Sequence, residues 1–464
     1  MHRSPPISVC ALVLVAAALP AKQAEPELPP GPLTLQAAVE FAARNFPAIR
    51  ASAAEVAAAE SGILAAKAAY LPRADMRLGV NRATRNNVFG LILPNAVIPG
   101  ISGPVQDELS ATTVYGTSAG VLFSYEPFDL GLRGANVRVA RAETARAEAG
   151  RSVTEHEVSV ATVDSFLRAV GCRSAVRAAA ASVERMQVFH DIVDALVRAQ
   201  LRPGADSARA TTELVRARSD LIRAEQDEQA ALASLAEWLG LAGASLTIDP
   251  ARLLREAPAD LSAQQLDGHP VAMAQESEIA VREARLEVVK KEWHPRFEAQ
   301  SAAYGRGTGA LMDGTFQGGG HGLAPTTGNW AVGFNMSFSL LDYKRNRADR
   351  QAEAHRLERE RARKEVVTQE LRGKVARARI ALDSARKIAR NTPEQLEAAR
   401  QLEAQEQARY RAGLATVADV ADAQLLLRQA ETDDSLARIG VWGTLLALAA
   451  AQGELDELIA AASR

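Results

Sequence analysis

Tyr70-Leu71-Pro72-Arg73 and Trp293-His294-Pro295-Arg296 are one pattern, aromatic, any residue, proline, arginine, written twice at an offset of 223. Toward the N-terminus the offset holds without a gap. Glu55, Val56, Ala57, Glu60 and Lys67 fall on Glu278, Ile279, Ala280, Glu283 and Lys290, and Pro47-Ala48 falls on Pro270-Val271. Toward the C-terminus it becomes 213: Gly120, Ser124, Asp129 and Ala135 match Gly333, Ser337, Asp342 and Ala348. The same register carries Arg198, Leu201, Asp206, Leu235 and Gly240 onto Arg411, Leu414, Asp419, Leu448 and Gly453. The length change lies wholly between Arg73 and Gly120, which marks a loop at equivalent places in two copies of one unit. The copies occupy residues 33–250 and 251–464, behind an N-terminal segment 1–24.

Each copy reads as a helix, a pair of strands and a very long helical hairpin. The alanine-rich run from Thr34, a potential cap, to Ala69 predicts one helix that stops before Pro72, where the missing N–H and the ring end it. Strands follow at about 73–86 and 111–127, and again at about 296–307 and 329–341. Met76, Leu78 and Val80 alternate with Arg77, Gly79 and Asn81, and Val121, Phe123 and Tyr125 alternate with Leu122, Ser124 and Glu126. The clearest strand has Trp330, Val332, Phe334, Met336, Phe338 and Leu340 on one face and Ala331, Gly333, Asn335, Ser337 and Ser339 on the other. Its length suits a tilted bilayer-crossing strand with apolar side chains toward lipid. Two strands per copy cannot close a barrel, so oligomerisation must supply the rest. Three subunits would give twelve.

Arg133 to about Leu201 and Lys344 to about Gly413 are charged, alanine-rich and almost free of turn residues, helices of roughly 100 Å at 1.5 Å per residue. Thr392-Pro393-Glu394-Gln395 resembles a capping box with proline at the first position, which predicts a restart or kink in the second of them. Between the strands, Asn86 to Ser110 holds an apolar run, Val88 to Ile101, broken by glycines and prolines, whereas Gly307 to Gly328 is glycine-rich. Both read as extracellular loops.

Composition narrows the function classes. Fifty-four basic and 56 acidic residues give a net charge of -2, without the basic excess that nucleic-acid binding requires. Met1, His2 and Arg3 precede an apolar stretch from Ile7 to Leu19, the pattern of a cleaved export signal. Past it no apolar run is long enough for a transmembrane helix, so a membrane-inserted mature chain must use a β-barrel. Cys172 is then the lone cysteine, read as a small buried thiol. No zinc-protease helix, P-loop, nucleophile elbow or cysteine cluster occurs, and the seven histidines are scattered, His294 and His321 flanking the second strand pair. No catalysis, cofactor or metal is expected.

The element order, the run Tyr410-Arg411-Ala412-Gly413-Leu414-Ala415-Thr416-Val417-Ala418-Asp419-Val420-Ala421-Asp422 and the terminal Leu448 to Gly453 resemble the TolC family of outer-membrane factors. The resemblance covers essentially the whole mature chain. It implies a mainly α fold with a β-barrel portion: a homotrimer, four strands per subunit in a twelve-stranded barrel among outer-membrane lipid, continued by a coiled-coil α-barrel across the periplasm. It also implies an exit channel for efflux or type I secretion, working with a periplasmic adaptor of the membrane fusion class and an inner-membrane pump of the RND or ABC type.

Residue by residue, the resemblance implies adaptor contact at the hairpin tips through Gly413 and Leu414, and through Leu201, where Gln200 replaces the glycine. It implies a carboxylate ring at the periplasmic gate from Asp419 and Asp422, whose crowding around a threefold axis would raise some of their pKa values. It implies a tie between Asp206 and Tyr410. A second tie is lost as a pair, since Ala415 stands where the family has arginine and Ala205 where it has a hydroxyl residue, leaving Arg202 or Arg411 as substitutes. The competing reading is a periplasmic coiled-coil scaffold or adaptor that never enters the membrane, which the lipid-length strands disfavour.

Overall fold

The computed structural model describes residues 31–84, 111–250, 266–309 and 319–463, with the single positions 253, 257, 262, 315 and 317. The expected export signal and the apolar run from Val88 to Ile101 lie outside the described residues. The chain runs α1 (Leu35–Asn45), α2 (Pro47–Ala68), β1 (Arg73–Thr84), β2 (Thr113–Tyr125), α3 (Leu132–Arg198) and α4 (Gly204–Trp238). The order then repeats as α5 (Pro270–Glu292), β3 (Arg296–Thr308), β4 (Thr327–Ser337), α6 (Tyr343–Arg411) and α7 (Val417–Gln452), with a closing α8 (Asp456–Ser463). The fold is mainly helical with one four-stranded sheet.

Thr34 does cap α1, its hydroxyl accepting from the Ala37 amide at 3.3 Å. The single helix expected from Thr34 to Ala69 is nevertheless two, because Phe46 precedes Pro47 and takes an extended conformation with ψ 129°. A residue before proline is pushed out of the helical region, and Pro47 begins the next helix at its first position. The Phe46 ring then packs on Trp238 at 5.3 Å, which fixes the corner.

Pro393 has the opposite outcome. The restart expected there does not occur: α6 continues for 69 residues with Pro393 inside it. The Thr392 hydroxyl is no cap; it donates across to the Asp434 carboxylate of α7 at 2.9 Å and lies 3.5 Å from the Ala389 carbonyl, which proline leaves without an amide donor. α3 is 67 residues long, so each hairpin carries a helix of about 100 Å. α7 is long and apolar enough to cross a membrane by composition, but it is a core helix, with Trp442, Leu445, Leu446, Leu448 and Ala449 buried.

The strands form one antiparallel sheet in the order β1-β2-β3-β4. Register aligns Met76 with Val121, Val121 with Ala303 and Ala303 with Trp330, an apolar row. The next row aligns Arg77, Gly120, Tyr304 and Asn329 on the opposite face. Gly120 is needed there, since a Cβ would lie 2.4 Å from the Tyr304 Cβ. Met76, Leu78 and Val80 on β1 and Trp330, Val332, Phe334 and Met336 on β4 are all exposed on the apolar face, Trp330 at 79%. β4 ends at Ser337, short of the expected 341, because pairing stops at Arg296 and Pro295 has no N–H to continue the ladder. Leu340–Asp342 is instead a short 3-10 turn.

At the sheet's helical end Trp293 packs on Phe338 at 5.2 Å and on Tyr343 at 5.7 Å, and Phe128 on Phe297 at 6.4 Å, an aromatic cluster of the kind that marks a membrane interface. Arg133 joins sheet to tube: it donates to the Glu126 carbonyl at 2.7 Å and the Ala69 carbonyl at 3.3 Å while stacking on Tyr70. Away from the sheet the core falls into two main clusters. The larger packs α1, α3, α4, α7 and α8 around Phe166, Leu235, Leu239, Leu445 and Leu458. The smaller, at the far tips, gathers Met186, Phe189, Val193, Leu214, Tyr410, Val417 and Val420.

Candidate functional site: the hairpin tips

Both long helices end in the same left-handed turn. At the end of α3 the Gln200 amide donates to the Val197 carbonyl and the Leu201 amide to the Leu196 carbonyl, both at 2.9 Å. At the end of α6 the Gly413 amide donates to the Tyr410 carbonyl at 3.0 Å and the Leu414 amide to the Arg409 carbonyl at 2.8 Å. The pivots are Gln200 at φ +62° and Gly413 at φ +80°, residues that the 213 offset makes equivalent. Glycine takes that conformation freely and glutamine at a cost of about 1 kcal/mol. The turn projects the next residue into solvent: Leu201 is 70% exposed and Leu414 71%.

Just inside the tips, Tyr410 is 1% exposed and meets Phe189 edge to face at 5.2 Å. Its hydroxyl lies 3.5 Å from the Asp206 carboxylate, the outer limit of a hydrogen bond. Burial, with the Asp206 charge second, pushes the phenol pKa up, so the hydroxyl stays protonated. Arg202 makes the closer contact. Its guanidinium donates to the Tyr410 carbonyl at 2.7 Å and lies 4.5 Å over the ring. Arg411, the other candidate substitute, is exposed. Ala415 is buried and Ala205 exposed, with no side chain long enough to bridge them.

Asp419 and Asp422 are both exposed and share a face one turn into α7. Asp419 is also part of the helix start: its carboxylate accepts from the Thr416 amide at 2.7 Å and hydroxyl at 2.8 Å, while the Asp419 amide donates back to that hydroxyl at 3.3 Å. The Thr416 backbone bond, then the side-chain bond, with smaller contributions from Arg409 and Arg209, lower its pKa. Within one protomer this is opposite to the rise expected from carboxylate crowding, because the cap solvates the charge. The 213 offset sets Asp206 and Arg209 at the positions equivalent to Asp419 and Asp422. A carboxylate in the second copy is thus an arginine in the first.

The structure also brings together two histidines that sequence reading left scattered. His156 Nε2 and His269 Nε2 lie 3.2 and 3.1 Å from one acceptor, the Ala450 carbonyl, with ring centroids 5.4 Å apart. His269 Nδ1 accepts from the Val271 amide at 3.1 Å and so caps α5. These contacts make the His269 ring a neutral Nε2–H tautomer, and burial lowers both pKa values. Their only sequence signal is that His269-Pro270 stands 223 residues after the helix-starting Phe46-Pro47.

A sheet that is apolar on one exposed face and open at both edges, mounted on hairpins of about 100 Å, has the form of one stave of a membrane barrel that further strands must close. The chain belongs to the outer membrane efflux protein family, which matches residues 39–241 and 261–454. Among individual proteins, it is 26% identical over 271 residues to protein CyaE of Bordetella pertussis, a match covering 56% of this chain and 52% of that protein. Its fold is similar to the solved structure of CusC, with a TM-score of 0.73 at 15% identity over 91% of this chain and 92% of the other. It is similar too to the open state of the Neisseria gonorrhoeae MtrE outer membrane channel, with a TM-score of 0.70 at 16% identity over 91% and 89%. The chain is therefore an outer-membrane protein of that family.

Proposed function

We propose that three copies form a passive exit duct of a tripartite efflux or type I secretion system. The observation that carries this reading is the open-edged sheet. β1 and β4 each present an unpaired row of amides and carbonyls, and in a bilayer each unpaired group costs several kcal/mol. Pairing β4 of one protomer with β1 of the next removes every edge at twelve strands. The duplicated halves, 33–250 and 251–464, supply alternating staves of the tube. At its far end the exposed pair Leu201 and Leu414, with Gly413, offers the adaptor a docking contact, and Asp419, Asp422, Asp206 and Tyr410 form the gate behind it. An RND or ABC pump of the inner membrane supplies the energy, and solute passes outward through a duct that performs no chemistry. Single-channel recording of the purified mature protein, with its mass in detergent, tests this. A trimer with small, cation-preferring conductance is expected; a monomer that neither inserts nor conducts refutes it in favour of a periplasmic scaffold.

A further inference from the structure

We infer that the second copy of the repeat carries a binding site for an organic cation, at the junction of sheet and tube. The inference deepens the channel reading above and rests on it. It begins from a difference between the two copies. In the first, the buried Arg133 guanidinium sits in a socket of four groups. It stacks on Tyr70 at 4.9 Å, donates to the Ala69 carbonyl at 3.3 Å and the Glu126 carbonyl at 2.7 Å, and pairs with Asp129 at 3.2 Å. The 223 offset carries Ala69 and Tyr70 onto Glu292 and Trp293, and the 213 offset carries Glu126 and Asp129 onto Ser339 and Asp342. Arg133 itself falls on Asn346. The socket is written twice and its cation once.

Asn346 is too short to fill the place of an arginine, and its amide turns aside to donate to the Val289 carbonyl at 2.9 Å. The space is a cavity of about 480 Å³ lined by Glu292, Trp293, Ser339, Asp342 and Asn346, so every group that serves Arg133 has its counterpart in the wall. Asp129 spends its carboxylate on the Gly131 amide and on Arg133, whereas the Asp342 side chain makes no cap bond and, among the described residues, has no cation within ion-pair distance. Trp293 offers a ring that holds a cation more strongly than tyrosine does. Two arginines also line the cavity, Arg296 and Arg345, but Arg345 is exposed and lies 3.8 Å from Asp349. With Glu292, Asp342 and Asp349, the acidic groups of the wall outnumber these two guanidiniums. Arg296 pairs in register with Ser337, and both lie on the polar face of the sheet, opposite Trp330, Val332 and Phe334. The cavity therefore opens on the side that a closed barrel turns to its interior. A solute bearing a guanidinium or alkylammonium group meets it on leaving the tube for the barrel.

The experiment records the full mature trimer in planar bilayers, with L-argininamide as the probe. Argininamide should block the channel, and L-citrullinamide, whose uncharged urea group copies the shape of the guanidinium, should block about tenfold less. Asn346→Arg, which fills the socket from the chain as Arg133 does, should weaken the argininamide block about tenfold or more without lowering the melting temperature. Asp342→Asn should weaken it about fivefold, and Trp293→Phe, which changes no charge, about threefold. Equal block by the two probes overturns the recognition of a cation. Argininamide block unmoved by any of the three substitutions lies elsewhere in the duct, and overturns the site while the channel stands. A wild-type chain that neither inserts nor conducts overturns the channel reading, and the site with it.

Discussion

Substitution of Tyr410 separates two accounts of what holds the tips together. If its hydroxyl bond to Asp206 did so, Tyr410→Phe would open the channel. At 3.5 Å that bond is worth no more than about 0.5 kcal/mol, roughly a twofold change in an equilibrium. The ring is a different matter. It is 1% exposed, meets Phe189 at 5.2 Å and lies under Arg202 at 4.5 Å, and truncating a buried aromatic side chain costs about 3–5 kcal/mol. Even the lower figure is a factor above 100 if the ring leaves its pocket on opening. Tyr410→Phe should therefore change open probability about twofold at most, whereas Tyr410→Ala should drive the channel to its open level. Single-channel recording at matched insertion, with thermal melting as a check on folding, reads both. A Tyr410→Phe channel as open as Tyr410→Ala would refute the ring-based account.

Asp422→Ala should raise conductance or reduce block by divalent cations, and unchanged single-channel behaviour would remove it from the gate. Asp419→Ala should add a lower melting temperature, because it also breaks the capping box with Thr416. His156 and His269 have lowered pKa values in the folded chain, so the unfolded chain binds more protons as pH falls below about 6.5. Stability is then complete above that pH and declines below it until both rings protonate in the fold. His156→Gln with His269→Asn, the asparagine keeping the cap, should flatten the melting temperature between pH 7.5 and 5; an equally acid-sensitive double variant would exclude the pair. On β4, Phe334→Arg should cost about 2–4 kcal/mol in the bilayer and reduce the inserted trimer, while Asn335→Arg on the opposite face should be tolerated. Equal loss from both, measured by membrane fractionation, would contradict the assignment of faces.

Local signals carried far in this chain. The alternation from Trp330 to Met336 placed one face of β4 correctly, because a strand's period of two is a property of the backbone itself. The two long helices were readable because alanine, arginine and glutamate favour the helix over some 65 residues, with Pro393 alone suggesting a break. The duplication extends to turn geometry in the structure, where Gln200 shares the left-handed backbone of Gly413. The prolines show where such reading stops. Pro47 separates two helices and Pro393 does not, and the difference lies in partners: Phe46 packs on Trp238 at the first, while Thr392 reaches Asp434 on a different helix at the second. In the same way His156 and His269 converge on one carbonyl from helices far apart in sequence.

By itself, then, the sequence determined the repeat, the lengths of its long helices, the apolar and polar alternation of its strands and the positions of its tips, all set by interactions within a few residues. Only the tertiary structure decided that Asp419 forms a capping box with Thr416 and that Arg202 grips Tyr410. The second outcome depends on where two hairpins meet, 208 residues apart, and no local periodicity encodes that distance.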